Sequence, residues 1–125
     1  MTRLLLDTQI VLWALAGHRR LSRETRRLID DHEAVVSAAS IWEIAIKVSI
    51  GKLDADPAAV RQALEPSGFD ELPVTGEHAA RVALLPPHHR DPFDRLLVAQ
   101  CFVEGLVLLT ADAQLASYGG LVRLV

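Results

Sequence analysis

Five short apolar runs recur along the chain, and their spacing limits the fold more than any other feature of the sequence. The predicted strands are Arg3–Leu6, Ala34–Ala38, Glu71–Val74, Leu106–Leu109 and Val122–Val125. The first four end at positions 6, 38, 74 and 109, so one strand end follows another after 32 to 36 residues. Connections of this length contain a helix and force the neighbouring strands to be parallel. The sequence therefore predicts an α/β domain with a central parallel β-sheet between two helical layers, a three-layer α/β/α sandwich.

Each predicted helix opens on a polar residue that can cap its first turn. The predicted caps are Ser22, Ser40, Asp56, Thr75, Asp91 and Asp112. Proline follows both Asp56 and Asp91, and the first helical position is the one that proline favours. Ser40 and Glu43 have the spacing of a capping box, which predicts a helix that begins at Ser40 and ends at Gly51.

Size and composition predict one soluble domain that spans residues 1–125. Of the 125 residues, 50% are hydrophobic and 23% are charged, which suits a packed core under a charged surface. The longest uncharged apolar run, Ile10–Ala16, is far shorter than the roughly 20 residues that cross a bilayer. Cys101 is the one cysteine, so there is no internal disulfide, and no apolar core of a signal peptide is found. We therefore expect a cytoplasmic protein that makes no membrane contact.

Four acidic residues follow the predicted strands at positions that a parallel sheet brings together. Asp7 follows the first strand directly, and Asp112 lies three residues after Leu109. Glu43 and Asp94 lie in the predicted first turns of two helices. Taken singly, each acid is explained as a helix cap or as an anion that the helix dipole favours. Ligands of open parallel sheets bind beyond the carboxyl ends of the strands, however, and capping does not explain why all four acids reach that edge.

The acids also predict a chemistry. Four carboxylates in one place repel one another unless a cation neutralises them, and hard oxygen ligands suit Mg²⁺ or Mn²⁺. Such an ion can orient and polarise a phosphodiester while one carboxylate helps to deprotonate the attacking water. Thr8, Ser40 and Thr110 lie near the acids and either donate hydrogen bonds to them or cap helices. The pattern therefore predicts a divalent-metal site for phosphodiester hydrolysis.

Four segments, which together cover nearly the whole chain, resemble one family of proteins. They read LLLDTQIVLWALAG, VVSAASIWEIAIKVSIGKL, LPPHHRDPFDRLLVAQ and LVLLTADAQLASYG, in this order. The chain resembles the PIN-domain ribonuclease toxins of the VapC type, which belong to bacterial type II toxin–antitoxin pairs. The second and third segments are the most specific, because their order, spacing and wording all agree with that family.

The resemblance implies a Mg²⁺- or Mn²⁺-dependent endoribonuclease with a PIN-like α/β/α fold, usually dimeric and held inactive by a VapB-type antitoxin. The family's metal-binding acids correspond to Asp7, Glu43, Asp94 and Asp112. Asp7 and Asp94 would be the principal ligands. In the segment HRDPFDR, Asp91 is interpreted as the helix cap and Asp94 as the ligand. Gln9 stands where this family commonly has His, a departure that affects no metal ligand.

Basic residues suggest where RNA or an antitoxin could bind. Eleven of the 13 basic residues are arginines, although the net charge is −3 and argues against indiscriminate coating of nucleic acid. The candidate contacts are Arg19, Arg20, Arg23, Arg26, Arg27, Arg90 and Arg95. The first five could equally form a solvated helix face. The apolar residues of the helix after Asp56 and of the segment 44–50 either pack on the sheet or form a dimer or antitoxin interface.

Other protein classes of this size fit the sequence less well. Phosphoacceptor receiver domains and P-loop proteins share the fold class, but their required lysine and glycine positions are missing here. A catalytically silent PIN-like module that binds RNA or protein remains the alternative to the enzyme. Cys101, Trp13 and Trp42 are expected in the core, with the border of the substrate groove as the alternative for Trp42. His88–His89 are expected in a surface loop between prolines and Asp91.

Overall fold

A parallel sheet of five strands forms the centre of the protein. The structure is a computed structural model that describes residues 2–125. Its strands are β1 (Arg3–Leu6), β2 (Ala34–Ser37), β3 (Phe69–Leu72), β4 (Leu106–Thr110) and β5 (Val122–Leu124). Their order across the sheet is β3-β2-β1-β4-β5, and every pair is parallel. This arrangement confirms the α/β fold with a central parallel sheet that the strand spacing predicts.

Helices connect the strands and cover the sheet. The α-helices are α1 (Thr8–Ala16), α2 (Arg23–Asp30), α3 (Ala38–Ser49), α4 (Pro57–Leu64), α5 (Gly76–Arg81) and α6 (Pro92–Glu104). Short 3₁₀ segments cover Glu65–Ser67, Val82–Leu84 and Ala113–Leu121. Within residues 2–125, none of these helices is long and apolar enough to cross a membrane.

Most of the predicted caps are confirmed, but the one at Ser40 is wrong. The side chains of Ser22, Asp56, Thr75, Asp91 and Asp112 each accept a hydrogen bond from a backbone N–H in the following turn. Helix α3 begins instead at Ala38, because the hydroxyl of Ser37 at the end of β2 caps it by accepting from the Ala39 N–H. Ser40 is therefore the third residue of α3, and Glu43 follows almost one turn later.

The third strand is displaced from its predicted position. It covers Phe69–Leu72 rather than Glu71–Val74, with Ala34 of β2 opposite Phe69 and Ser37 opposite Leu72. Pro73 has no N–H to donate to a neighbouring strand, so the pairing ends before it. Phe69 is buried and supplies the apolar contact of β3 with the core.

The core has one layer on each face of the sheet. Leu4 and Leu6 of β1 point to one face and pack with Ile10 and Val11 of α1. Leu5 points to the other face and belongs to a second cluster with α6 residues, including the completely buried Cys101. Alternate side chains of a strand lie on opposite faces, so a strand buried on both sides is apolar throughout. The predicted three layers and the core position of Cys101 are thus confirmed.

Candidate metal centre

Asp7 lies at the carboxyl end of β1, where the start of α1 and the end of β4 hold its carboxylate. Its Oδ1 accepts a hydrogen bond of 2.7 Å from the Thr8 backbone N–H, and thereby caps α1. Its Oδ2 accepts 2.6 Å from the hydroxyl of Thr110, which ends β4. Burial raises the pKa of Asp7, and the charges of Glu43 and Asp112 act in the same direction, against the lowering effect of the two hydrogen bonds. Asp7 therefore caps α1, and both oxygens of its carboxylate are oriented by hydrogen bonds.

The three hydroxyl groups expected near the acids link separate elements. Thr8 Oγ1 donates to Ser40 Oγ at 2.9 Å, which ties the start of α1 to α3. Thr110 Oγ1 donates to Asp7 and accepts 3.0 Å from the Asp112 N–H. Thr110 therefore fixes the relative positions of two acids, whereas Thr8 and Ser40 bond to each other.

Glu43 comes from α3 and leaves one oxygen without a partner. Its Oε2 lies 3.0 Å from Lys47 Nζ, one turn further along the helix. Its Oε1 is buried and has no hydrogen-bond partner within residues 2–125. A buried carboxylate oxygen without a donor costs free energy in the folded protein, and a cation at this point would remove that cost.

Asp94 lies in the first turn of α6 and carries the largest electrostatic perturbation of the acids. Its side chain is only 14% exposed. Burial, together with the charges of Asp7, Asp91, Glu43 and Asp112, raises its pKa to about 8. The neighbouring Asp91 has the other role expected from the sequence: its Oδ1 accepts from the N–H groups of Phe93 and Asp94 and caps α6.

Asp112 follows β4 and is the most exposed of the four acids. Its Oδ1 accepts 3.0 Å from the Gln114 N–H and caps the 3₁₀ segment. Its Oδ2 lies 3.2 Å from Nε2 of His89. Both oxygens thus have partners in the protein.

His89 is the site residue that the sequence interpretation missed. Its side chain is 10% exposed rather than part of a solvated loop surface, and Nε2 is also 3.6 Å from Asp94 Oδ2. One potential ligand atom from each of His89, Asp94 and Asp112 lies within 4.8 Å of the other two. The sequence did contain one signal for His89, which is its position just before the capped helix that carries Asp94. The loop at this position must pass the same edge of the sheet.

The structure brings the four acids together in one cleft of about 370 Å³. Asp7, Glu43, Asp94 and Asp112 all line it, with Thr8, Gln9, Leu12, Trp13, Arg20, Lys47, Asp91 and Ala111. Carboxylate oxygens dominate, and these are the donors that hard divalent cations prefer. The donor set and the unpartnered Glu43 Oε1 therefore fit Mg²⁺ or Mn²⁺.

The candidate arginines have four kinds of environment. Arg20 lines the acidic cleft, whereas Arg19, Arg23, Arg27 and Arg90 are exposed without lining it. Arg26 donates to the His18 carbonyl oxygen. Arg95 is engaged inside the protein, where its guanidinium donates to the carbonyl oxygens of Val82, Pro86 and His89 and to the Tyr118 hydroxyl.

Trp42 is not a core residue, contrary to the expectation from its apolar neighbours. Its side chain is 60% exposed and packs edge-to-face on Phe93, with ring centroids 5.0 Å apart. Trp42 precedes Glu43 in α3, and Phe93 precedes Asp94 in α6. Trp13 is partly buried and packs against the core, as expected.

Comparison with known proteins defines the class to which this fold and cleft belong. The family model of the PIN domain matches residues 4–121. The chain is therefore a member of the PIN domain family. No curated protein matched the sequence.

Several solved structures have the same fold as this chain. VapBC2 from Rickettsia felis, bound to a promoter DNA fragment, has a chain with 14% identity and a TM-score of 0.72 over 98% of both chains. A toxin–antitoxin complex from Klebsiella pneumoniae has 20% identity and a TM-score of 0.66, covering 95% of this chain and 94% of the other. FitAcB from Neisseria gonorrhoeae has 18% identity and the same TM-score over 95% of both chains.

Proposed function

We propose that this chain, a single PIN domain of residues 1–125, is a divalent-metal-dependent endoribonuclease that acts as the toxin of a type II toxin–antitoxin pair. The observation that carries the proposal is the convergence of Asp7, Glu43, Asp94 and Asp112 in one cleft of a PIN fold. Mutual repulsion and burial raise the pKa of two of these acids, which favours a bound cation over four unneutralised carboxylates.

Mg²⁺ or Mn²⁺ is the proposed cofactor. Asp7 and Asp94 would be the principal ligands, with Glu43 and Asp112 completing the acidic set. When bound, the ion supplies charge that polarises a phosphodiester and lowers the pKa of a water molecule. Thr110 holds the Asp7 carboxylate in place through its 2.6 Å hydrogen bond, while Thr8 and Ser40 fix the helix starts around it.

A carboxylate of the cleft would accept the proton of the attacking water. The cleft is open to solvent on one side, so a single-stranded RNA backbone could reach it with flanking phosphates near Arg20.

The partners follow from the same proposal. The structural neighbours are complexes of a toxin with its antitoxin, which supports a VapB-type antitoxin as the inhibitor of this chain. The exposed arginines of the segment 19–27 are candidate contacts for RNA or for an acidic antitoxin segment, and Arg90 lies in the loop before α6. We further propose a homodimer in the cytoplasm.

Cleavage of total RNA by the purified, antitoxin-free protein tests the proposal. Reactions contain Mg²⁺, Mn²⁺ or EDTA, and compare wild type with Asp94→Asn, which keeps the side-chain shape and removes its charge. Asp70→Asn, the same change at an exposed position of β3, is the matched control. We expect metal-dependent cleavage by wild type and the control, and loss of at least about 100-fold in Asp94→Asn.

Two results would contradict the proposal. RNA binding that needs Mg²⁺ but produces no strand scission would identify a catalytically silent binding module. Cleavage that persists in Asp94→Asn would remove Asp94 from the reaction.

A further inference from the structure

The imidazole of His89 lies close to two of the four acids. Its Nε2 is 3.2 Å from Asp112 Oδ2 and 3.6 Å from Asp94 Oδ2. Two carboxylates that approach the same nitrogen would otherwise repel each other across the cleft. His89 therefore lies between two acids that arrive from different elements, α6 and the segment after β4.

The other ring nitrogen fixes the tautomer of this imidazole. Nδ1 of His89 accepts a 3.0 Å hydrogen bond from the backbone N–H of Asp91. A nitrogen that accepts carries no hydrogen, so the hydrogen of the neutral ring is on Nε2. The group that faces Asp112 and Asp94 is thus an N–H donor, without the lone pair that a metal ligand needs.

This donor completes the orientation of Asp112. The Oδ1 of Asp112 accepts from the Gln114 N–H at 3.0 Å, and Oδ2 receives the His89 contact. A carboxylate held at both oxygens cannot rotate, yet each oxygen keeps a further lone pair for a cation. Such hydrogen bonds to ligating groups set their direction and strengthen metal binding.

The loop that carries His89 is held by several side-chain hydrogen bonds. Arg95 donates to the carbonyl oxygens of Val82, Pro86 and His89, and Tyr118 also donates to Pro86, at 3.0 Å. These contacts bind both ends of the loop to α6 and to the segment after β4. Hydrogen bonds from these two elements therefore support the position of the His89 ring.

We propose that His89 is a positioning residue of the metal centre, whose Nε2–H holds Asp112 beside Asp94 without itself binding the ion. The inference rests on the proposed function, since it assigns a role within the same site. This role differs from that of a nitrogen ligand, because a histidine ligand would favour Mn²⁺ over Mg²⁺.

Two substitutions distinguish the two ring nitrogens. His89→Asn keeps an acceptor near the position of Nδ1, and so keeps the bond from the Asp91 N–H, but removes the donor at Nε2. His89→Gln reaches the position of Nε2 with an amide donor. His88→Asn is the matched control, because His88 is exposed and contacts only the Tyr118 ring among its aromatic neighbours, at 5.1 Å.

The experiment is calorimetric titration of Mg²⁺ and Mn²⁺ into the folded, metal-free proteins, with RNA cleavage as a second readout. We expect His89→Asn to lower the affinity for both ions by about 10–100-fold, and to a similar extent for each. The metal affinities of His89→Gln and His88→Asn are expected to stay within about threefold of wild type. Gln retains the donor at the position of Nε2, and His88 is the control position. Pulsed electron paramagnetic resonance of Mn²⁺-loaded wild type should show no directly coordinated ¹⁴N, a measurement that needs no variant to fold.

Other outcomes overturn the inference. Unchanged affinity in His89→Asn would mean that the contact does not support the site. Coordinated ¹⁴N in wild type, with Mn²⁺ affinity lost selectively in both His89 variants, would make His89 a ligand. If wild type binds neither ion, the proposed function fails and this inference fails with it, whereas the first two results leave the proposed function standing.

Discussion

Replacing Asp94 with Asn should stabilise the metal-free protein, and by an amount that grows with pH. The pKa of Asp94 is raised from 3.8 to about 8 in the folded state, chiefly by burial and then by the charges of neighbouring acids. Between these two values the unfolded chain releases the proton and the folded chain retains it. The free energy of unfolding therefore falls as pH rises from about 4 to about 8, and Asn removes this dependence.

The magnitude follows from the shift. If the whole shift acts on stability, it lowers the free energy of unfolding of wild type by roughly 4 kcal/mol at pH 7 and by less than 2 kcal/mol at pH 5. Because the cleft is open to water and counter-ions on one side, we expect about half of that ceiling, near 2 kcal/mol at pH 7. For a chain of this length the melting temperature should rise by about 8 °C.

Thermal or urea unfolding in EDTA at pH 5, 7 and 8 measures the effect. Asp70→Asn is the control, since the same chemical change at an exposed position of β3 should leave the pH dependence of wild type intact. A gain of equal size at pH 5 and pH 8, or a less stable Asp94→Asn protein, would refute the electrostatic reasoning. Adding Mg²⁺ should then stabilise wild type and leave Asp94→Asn almost unaffected.

Two further predictions concern Asp91 and Cys101. Asp91→Ala removes the cap of α6 and should lower the free energy of unfolding by about 1 kcal/mol, whereas Asp91→Asn keeps the cap and should lower it by only a few tenths of a kcal/mol. Urea titration of both variants measures the difference, and equal losses would exclude the capping role. Burial raises the pKa of the Cys101 thiol, so a thiol reagent at pH 8 should label it only in denaturant. Rapid labelling of the native protein would contradict the packing around α6.

The fold could be predicted from the sequence because its main signals are local. Apolar strands and capped helices alternate at a nearly constant spacing, and parallel pairing follows from that spacing alone. The errors occurred where two local signals competed. Ser37 and Ser40 could both cap α3, and the end of β2 selects Ser37. The predicted β3 continued through Pro73 to Val74, whereas the pairing stops before Pro73.

The acids of the candidate site were also within reach of the sequence, but their surroundings were not. Asp7 and Asp112 follow strands, so the sheet topology alone brings them close. His89 depends on a loop conformation that Arg95, six residues further on, and Tyr118, in the segment after β4, hold through side-chain hydrogen bonds, and no periodicity encodes such contacts. Trp42 has apolar neighbours in sequence, yet the helix turns its side chain outward, beside Phe93 of another helix.

The pairing of β1 with β4 joins two segments that lie 103 positions apart in the sequence. Four residue pairs connect these strands, and Thr110 reaches across 103 positions of sequence to hold Asp7. During synthesis, β4 emerges only after Gly105 has been added, when Asp7, Glu43 and Asp94 already exist in the nascent chain. Until then the central strand has no partner on that side and its carboxylate lacks the hydroxyl that orients it. Nascent chains that end before β4 therefore carry Asp7, Glu43 and Asp94 without the strand that completes the acidic cleft.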